Sequence, residues 1–475
     1  EFVDALIRAE AFASGIPQTQ ISTNLRTNIG DQGVDTEVKQ AILSTFIGSP
    51  STPSCWQYKA MAYATVNDDD LREEIKKTNK RNHTAYVQQL IKTGYSYYFC
   101  ICDDMPAVKR AEWENILNEE IRLINYSAPT SVVLTASHLA VWANSFPSII
   151  IRFFTPNLDN FLHLKSWGQS ITSLTSRYSE VLAWNPIKQR ILEHVLFDKP
   201  CRIVNISIQG EAGVGKTRFV YEALLSITGL ENLVVYTTDT SAKEIARTLA
   251  NSDSLRAILV ADECLPKTRM ELIDILRGCT DRVRMISIDN SGERPSTGAE
   301  EPWLQRIPED IVEAILQQNF PSVLPDRVRA YVELSKGFVR LAADLCSRDL
   351  EIAAKSSFQP ILPDIKTYLT IRLSEEERKI INAISLLRKV GFREDVKHEL
   401  DYLCQIIGIE RSRVIGVSSR LKDAPGFISF AGRYLYITPE IIAKVAFEDA
   451  WRYWIESDPT SFLEKIPSQI FEPFL

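Results

Sequence analysis

Apolar and polar positions in the first third of the chain switch between a helical and a strand period. Phe2 to Ala13 keeps Leu6, Ala9 and Phe12 near one face, which predicts a first helix, with Glu10 close by. Alternation at Val34 to Val38 and the run CWQYKAMA from Cys55 predict strands on either side of a Pro/Ser-rich turn, Ser49 to Ser54. A charged helix (Asp69 to Lys77) and an apolar helix lead into a strand, Tyr95 to Cys102. Further strands at Ser131 to Thr135 and Ser148 to Phe154 close a front unit over residues 1–155.

From Thr155 to Leu182 the pattern turns polar and irregular, with Pro156, Asn157, Asn160 and a Ser/Thr cluster at Ser170 to Ser179. This predicts a connector with one short helix, residues 156–185. Residues 186–298 then alternate strand and helix. A helix (Pro186 to Leu196) leads to apolar strands at Ile203 to Ile208, Leu233 to Thr237, Ala257 to Ala261 and Arg284 to Asp289, with a helix at Thr268 to Gly278. Alternation of this kind predicts a parallel sheet covered by helices.

A polar loop, residues 292–302, opens a helical stretch over 299–360, with helices at Pro308 to Gln318, Pro325 to Ser335 and Phe338 to Ser347. Residues 361–445 carry helices around Glu377 to Lys389, Asp395 to Ile407 and Arg411 to Leu421. Two short strands follow, Phe427 to Phe430 and Tyr434 to Ile437, the order of a winged helix. Residues 446–475 read as helical and aromatic, with Phe447, Trp451, Trp454, Phe462 and Phe471, like the first turns of a repeat array.

The strongest chemistry sits at the first strand-to-helix junction of the central unit. Gly210-Glu211-Ala212-Gly213-Val214-Gly215-Lys216-Thr217 lies between an apolar strand and a helical pattern beginning at Phe219, with Arg218 between. Glycines there let the backbone turn tightly and aim successive N–H groups at phosphate oxygens, and the helix adds its positive end. Lys216 would reach the β- and γ-phosphates of ATP, and the Thr217 hydroxyl would ligate Mg²⁺. The strand ending in Asp262-Glu263 supplies the complementary pair: Asp262 for the Mg²⁺ shell, Glu263 to polarise a hydrolytic water. The segment holding Tyr178 resembles the one that folds over the adenine in many P-loop ATPases, where Tyr178 would stack, a surface Tyr being the plain alternative.

In the front unit, Asp35 precedes a strand carrying Gln57 and Lys59 on one face. An acid on one strand with Q-x-K on the next suits a divalent cation held by Asp35 and the Gln57 carbonyl. Lys59 would orient the attacking water and neutralise phosphate charge, and Glu10 would add a carboxylate. The plain alternative is that Asp35 closes a turn and Lys59 is a solvated strand residue.

Composition narrows these readings. The 475 residues allow roughly three domains at about 150 residues each. Formal charge is 54 − 61 = −7, so the chain is not a polycation that coats nucleic acid, and any DNA must meet a local groove. Eight scattered cysteines, with one C-x-C pair at Cys100 and Cys102, suit free thiols in a reducing cytosol better than zinc. No apolar run reaches the ~18 residues needed to span a bilayer, so no membrane partner is expected.

The wording G-D-Q-G-V-D followed by W-Q-Y-K-A resembles PD-(D/E)xK nuclease domains of the Mrr-like and CBASS-effector kinds, where Gln often stands at the second acidic position. G-E-A-G-V-G-K-T with T-R-F-V-Y-E-A-L, and L-V-A-D-E-C, resemble the STAND and AAA+-like P-loop NTPases. In those relatives Asp289 would stand at a polar sensor near the γ-phosphate, and Arg340, in G-F-V-R-L-A, at a second sensor on the lid. The whole order resembles Avs-type antiphage STAND NTPases. That resemblance implies an α/β multidomain chain: nuclease, P-loop NTPase with helical lid, winged helix, and the root of a C-terminal repeat sensor.

The resemblance also implies a cytoplasmic protein. Its repeats would recognise a phage protein such as a large terminase or portal. ATP-bound protomers would then assemble, typically as tetramers, and cut double-stranded DNA. The histidine of the MHD motif of some STAND winged helices is missing, Tyr436-Ile437-Thr438 standing near its place. An ATP-dependent regulator or scaffold with a catalytically silent front unit is the alternative. A motor nuclease ranks last, because nothing resembling helicase motifs follows.

Overall fold

The computed structural model describes residues 1–24, 33–42, 52–76, 86–155, 160–171, 177–197, 201, 203–211, 213–289, 302–353, 364–423, 426–431, 433–466 and 470. Ala212 and most of the 292–302 loop, the Gly30-Asp31-Gln32 triplet, and parts of the Ser49 to Ser54 turn and of the connector lie outside them.

The front unit is a five-stranded sheet in sequential order: β1 (Ile21–Thr23), β2 (Thr36–Val38), β3 (Ser54–Lys59), β4 (Ser96–Ile101) and β5 (Val132–Leu134). The first three strands run antiparallel, and β3, β4 and β5 run parallel. Parallel neighbours need crossovers, which the helices Asp68–Lys76, Tyr86–Lys92 and Ala107–Ile124 supply. Strand alternation gives the sheet two apolar faces. On one, Trp56 stacks on Tyr98 with centroids 4.1 Å apart and lies against Trp142. On the other, Cys55, Tyr97 and Phe99 pack with Leu71, Ile75 and Trp113 of the crossover helices.

The first helix, Phe2–Ala13, is buried nearly all round, from Val3 through Phe12. Its charged residues are paired where they are buried, Asp4 with Arg8 at 3.0 Å. It is wedged between the front unit and the central module, touching the helices Ala136–Ala143 and Pro147–Phe153 and the turn Leu230–Asn232.

The strand expected over Ser148 to Phe154 is instead the helix Pro147–Phe153. Its β-branched and aromatic run has strand composition, but burial against two modules overrides that preference, and Pro147 at the first helical position starts the turn. Hydrogen bonds cross the boundary here: Ser148 Oγ to the Glu231 carbonyl (3.2 Å) and Arg152 to Asn232 (3.1 Å).

The central module is a six-stranded sheet in the order β11-β7-β10-β9-β8-β6. Its strands are β6 (Leu162–His163), β7 (Asn205–Gly210), β8 (Val234–Thr238), β9 (Ala257–Asp262), β10 (Val283–Ile288) and β11 (Trp303–Leu304). Strands β7 to β11 run parallel and bury almost every residue, as a sheet covered on both faces requires. The edge strand β6 is antiparallel and comes from the connector, which continues into the helix Leu164–Ile171.

Three helices, Glu309–Asn319, Pro325–Ser335 and Val339–Ala353, occupy the stretch expected as a helical lid, hereafter the lid. The C-terminal module orders a helix (Glu375–Ser385), strand β12 (Val390–Gly391), two helices (Lys397–Ile407 and Arg411–Asp423) and the hairpin β13 (Ile428–Ala431) and β14 (Tyr434–Ile437). A Ser374/Glu377 capping box starts the first of these helices, and Gly408 at φ 65° ends the second. The helix Glu440–Ala450 packs back on Glu375–Ser385 and passes into a five-residue π-helical stretch, Trp451–Ile455. Among the described residues, no helix is long and apolar enough to cross a membrane.

Candidate functional site

Strand β7 delivers the Gly210–Thr217 loop to the carboxyl edge of the sheet, where α/β folds bind ligands, and the helix Lys216–Leu225 follows at once. Gly213 and Gly215 take φ 90° and 103°, in the left-handed region. A side chain at Gly210 would meet the Leu304 carbonyl oxygen at 2.7 Å, so β11 closes against the loop only because residue 210 has none.

Lys216 is 3 % exposed and donates to the carbonyl oxygens of Gly210 and Glu211, both at 2.7 Å. Burial pulls its ammonium pKa down to about 8, against the opposing charges of Asp262, Asp289 and Glu211. A buried cation resting on two loop carbonyls is charge-complementary to an anion entering the loop.

Thr217 Oγ1 donates to Asp262 Oδ2 at 2.9 Å, and the Glu263 N–H donates to the other carboxylate oxygen at 2.7 Å. Burial raises the Asp262 carboxyl above its ordinary range. A hydroxyl and a carboxylate in contact, beside a buried lysine, fit the donor set for the Mg²⁺ of a bound nucleoside triphosphate: Lys216 for the phosphates, Thr217 and Asp262 for the cation. The cation would neutralise phosphate charge; Glu263, at φ 53° just past β9, lines the same cavity as these groups.

These groups open into a cavity of about 400 Å³ shared among four parts of the chain. The connector contributes Tyr178, Val181 and Trp184, and the lid contributes Arg340 and Ala343. Lys422, Ser429 and Thr438 come from the C-terminal module. Tyr178 is half-buried there, its hydroxyl pushed up to about 12 by burial. Arg340 lines the cavity and donates to the Lys422 carbonyl at 3.2 Å. Asp289 does not line it: its carboxylate lies 3.7 Å from Arg269, which also donates to Ser207 at 2.6 Å. Arg218 is ion-paired with Glu222 at 2.6 Å.

Two residues that the linear pattern did not single out help build the site. Arg306 donates to Glu211 at 2.7 Å, lies over the Phe338 ring at 4.6 Å and comes within 3.8 Å of Glu440, so it ties loop, lid and C-terminal module together. Tyr236 donates to Asp262 Oδ2 at 3.0 Å. Tyr236 is the middle residue of a short apolar strand and nothing local marks it, nor Arg306.

In the front unit the Asp35 carboxylate accepts the Tyr58 backbone N–H at 2.6 Å, which sets it beside the Gln57–Tyr58 peptide. Gln57 is 1 % exposed and shares a strand face with Lys59. Lys59 is paired with Glu74 of the first crossover helix at 2.8 Å, a partner not foreseen from the sequence.

Glu10 does not join this group. Its carboxylate accepts from Trp142 Nε1 (2.8 Å) and Arg256 (2.6 Å) on the opposite face of the sheet, so it is a buried interdomain tie and not a cation ligand beside Asp35. Asp35 and Gln57 are therefore the donors from the expected set that remain there. Among the described residues, no cluster of three or more His, Cys, Asp or Glu side chains is arranged to hold a metal ion.

The class of molecule defined so far is a multidomain α/β chain with a P-loop-type phosphate cradle at the edge of a largely parallel sheet. No protein-family model matches the chain, and no curated protein matches it. Among solved structures, similar chains include Cdc6p from Pyrobaculum aerophilum, at 16 % identity and TM-score 0.32 over 59 % of this chain and 97 % of that one. The ORC1 protein of Aeropyrum pernix, solved in complex with DNA, gives 15 % identity and TM-score 0.33 over 64 % and 98 %. A Signal Transduction ATPase with Numerous Domains (STAND) protein with a tetratricopeptide repeat sensor, from Pyrococcus horikoshii, gives 13 % and 0.32 over 62 % and 47 %. With scores this low, the site stands on its own geometry.

Proposed function

We propose that this chain is a nucleotide-switched signalling NTPase of the STAND kind, in which ATP with Mg²⁺ sets the arrangement of lid and C-terminal module. The carrying observation is the Lys216–Thr217–Asp262 cluster opening into a cavity walled partly by Lys422, Ser429 and Thr438. A ligand held there touches four parts of the chain at once. Its binding energy therefore differs between closed and open arrangements, which is what a switch requires. We read the C-terminal module as a winged helix that packs on the nucleotide site in the resting state.

We further propose that the front unit is a metal-dependent DNA endonuclease in antiviral defence, with Asp35, Gln57 and Lys59 as its working residues. Its sheet order, an antiparallel meander followed by parallel β4, supports this reading. In this scheme a phage protein such as a large terminase or portal is the trigger. Homo-oligomers, tetramers by the resemblance, then bring several weak nuclease sites onto one double-stranded DNA. One observation favours the alternative of a silent interaction domain: the Lys59 ammonium is already engaged by Glu74.

Incubating the activated protein with plasmid DNA and Mg²⁺ separates the two readings. Asp35→Ala or Lys59→Ala is expected to abolish cleavage while ATP binding and assembly persist, and Lys216→Ala to lose both. Cleavage that survives Asp35→Ala and Lys59→Ala refutes the nuclease assignment. ATP binding unchanged in Lys216→Ala refutes the nucleotide site.

A further inference from the structure

The connector between the front unit and the central module is built into the sheet. Leu162 and His163 of β6 pair with Tyr236 and Val235 of β8, and Thr237 Oγ1 donates to the Asn160 carbonyl at 2.8 Å. The helix that follows, Leu164–Ile171, lays the fully buried Trp167 on the Tyr236 ring, with centroids 4.5 Å apart and 15° between planes. Trp167 also meets the Tyr221 ring edge-on at 5.4 Å, on the helix that begins at Lys216. Gly168 leaves the space that the Tyr221 ring and hydroxyl occupy.

The indole N–H of Trp167 finds no acceptor among the described residues, and two aromatic rings, one stacked and one edge-on, hold this side chain. The far end of the Tyr236 ring carries the hydroxyl that donates to Asp262 Oδ2, the oxygen that also accepts from Thr217. One ring thus has a carboxylate at one end and the connector's tryptophan stacked on its face. Three and four residues beyond Trp167, Ser170 and Ile171 reach the cavity wall.

We propose that Tyr236 is a positioning residue for the Asp262 carboxylate, and that its stack with Trp167 makes the 160–171 connector the element that senses whether a divalent cation occupies that carboxylate. This rests on the nucleotide-site reading above. A phenol that donates to one oxygen of a ligating carboxylate fixes which lone pairs face the cation, and such outer partners typically set metal affinity by tenfold or more. When Asp262 shares its charge with a cation, its hold on the phenol changes. The ring then resettles against Trp167, on the segment that leads to the front unit.

The test uses the full chain, a fluorescent ATP analogue and Mg²⁺. Tyr236→Phe keeps the stack and removes the hydroxyl. It is expected to raise the Mg²⁺ concentration at half-saturation about tenfold and to weaken nucleotide binding in EDTA by much less. In wild-type protein carrying a non-fluorescent nucleotide, Mg²⁺ is expected to change tryptophan emission. That change should vanish in Trp167→Phe and shrink in Tyr236→Phe.

An unchanged Mg²⁺ midpoint in Tyr236→Phe overturns the proposal. So does equal weakening with and without Mg²⁺, the signature of a merely structural role. A Mg²⁺ signal undiminished in Trp167→Phe overturns the sensing role of the connector. If instead Lys216→Ala binds nucleotide like the wild type, the site reading itself has failed.

Discussion

Raising the pH from 7 to 9 titrates one buried lysine in this site, and the effect on nucleotide affinity follows from its surroundings. Lys216 in the free protein has a pKa near 8 because burial disfavours its charge. Bound phosphates favour the charged form, so the pKa rises on binding, and above pH 8 each binding event must take up a proton. Affinity therefore falls as pH climbs, by about tenfold between pH 7 and 9, where the free lysine goes from roughly one-tenth to roughly nine-tenths neutral. Calorimetry in two buffers of different ionisation enthalpy reads that uptake directly: roughly half a proton per nucleotide at pH 8 and roughly nine-tenths at pH 9. Lys216→Arg keeps the charge and has no titration in this window, so its affinity, though lower, should be flat. Equal wild-type affinities at pH 7 and 9 with no proton uptake would refute the reasoning, as would the same slope in the arginine variant.

On the acid side the sign reverses. Asp262 is raised by burial and binds a cation only when ionised, so Mg²⁺-dependent binding should fade at a higher pH than an ordinary carboxylate would give, measured as the Mg²⁺ midpoint against pH. Gly213→Ala forces a side chain onto φ 90° and toward Pro439 Cβ, 3.2 Å from where the new carbon would sit. It should cost about 1–2 kcal/mol in thermal unfolding. Because Pro439 adjoins the C-terminal module, bound fluorescent nucleotide should also leave faster; an unchanged melting temperature and release rate would count against this packing. Arg256→Ala strips the cation from Glu10, which keeps only the Trp142 N–H, and should cost about 1–3 kcal/mol. A double-mutant cycle with Glu10→Gln checks it, and coupling near zero would mean the pair does not hold the two units together.

Local spacing made the cluster of loop, Lys216, Thr217 and Asp262 legible. Loop, lysine and threonine are contiguous, and an apolar run ending in Asp262-Glu263 can only be a buried strand leading to the same sheet edge. The lid and the helix-and-hairpin module were legible for the same reason, since each helix carries its own periodicity and caps. What escaped was whatever packing alone brings in. β1, β6, β11 and β12 have two or three residues each, too few to show a period. In the Ser148 to Phe154 run, Ser148, Ile149 and Ile151 are buried between two units, and the sequence has only Arg152 where a polar stripe would have marked a helix. Glu10 looked like a spare carboxylate near a strand motif, and only the fold shows Arg256, 246 residues away in sequence, claiming it.

One architectural detail bears on how this chain could be rebuilt. Because β6 and Trp167 belong structurally to the central sheet while lying upstream of the helix Lys216–Leu225 in sequence, a chimaera joined just before Asn185 would strip the sheet of its edge and leave Tyr236 bare. A graft of any foreign domain onto the central module should keep everything from Asn160 onward, so that the incoming part is spliced to the sheet's own border strand.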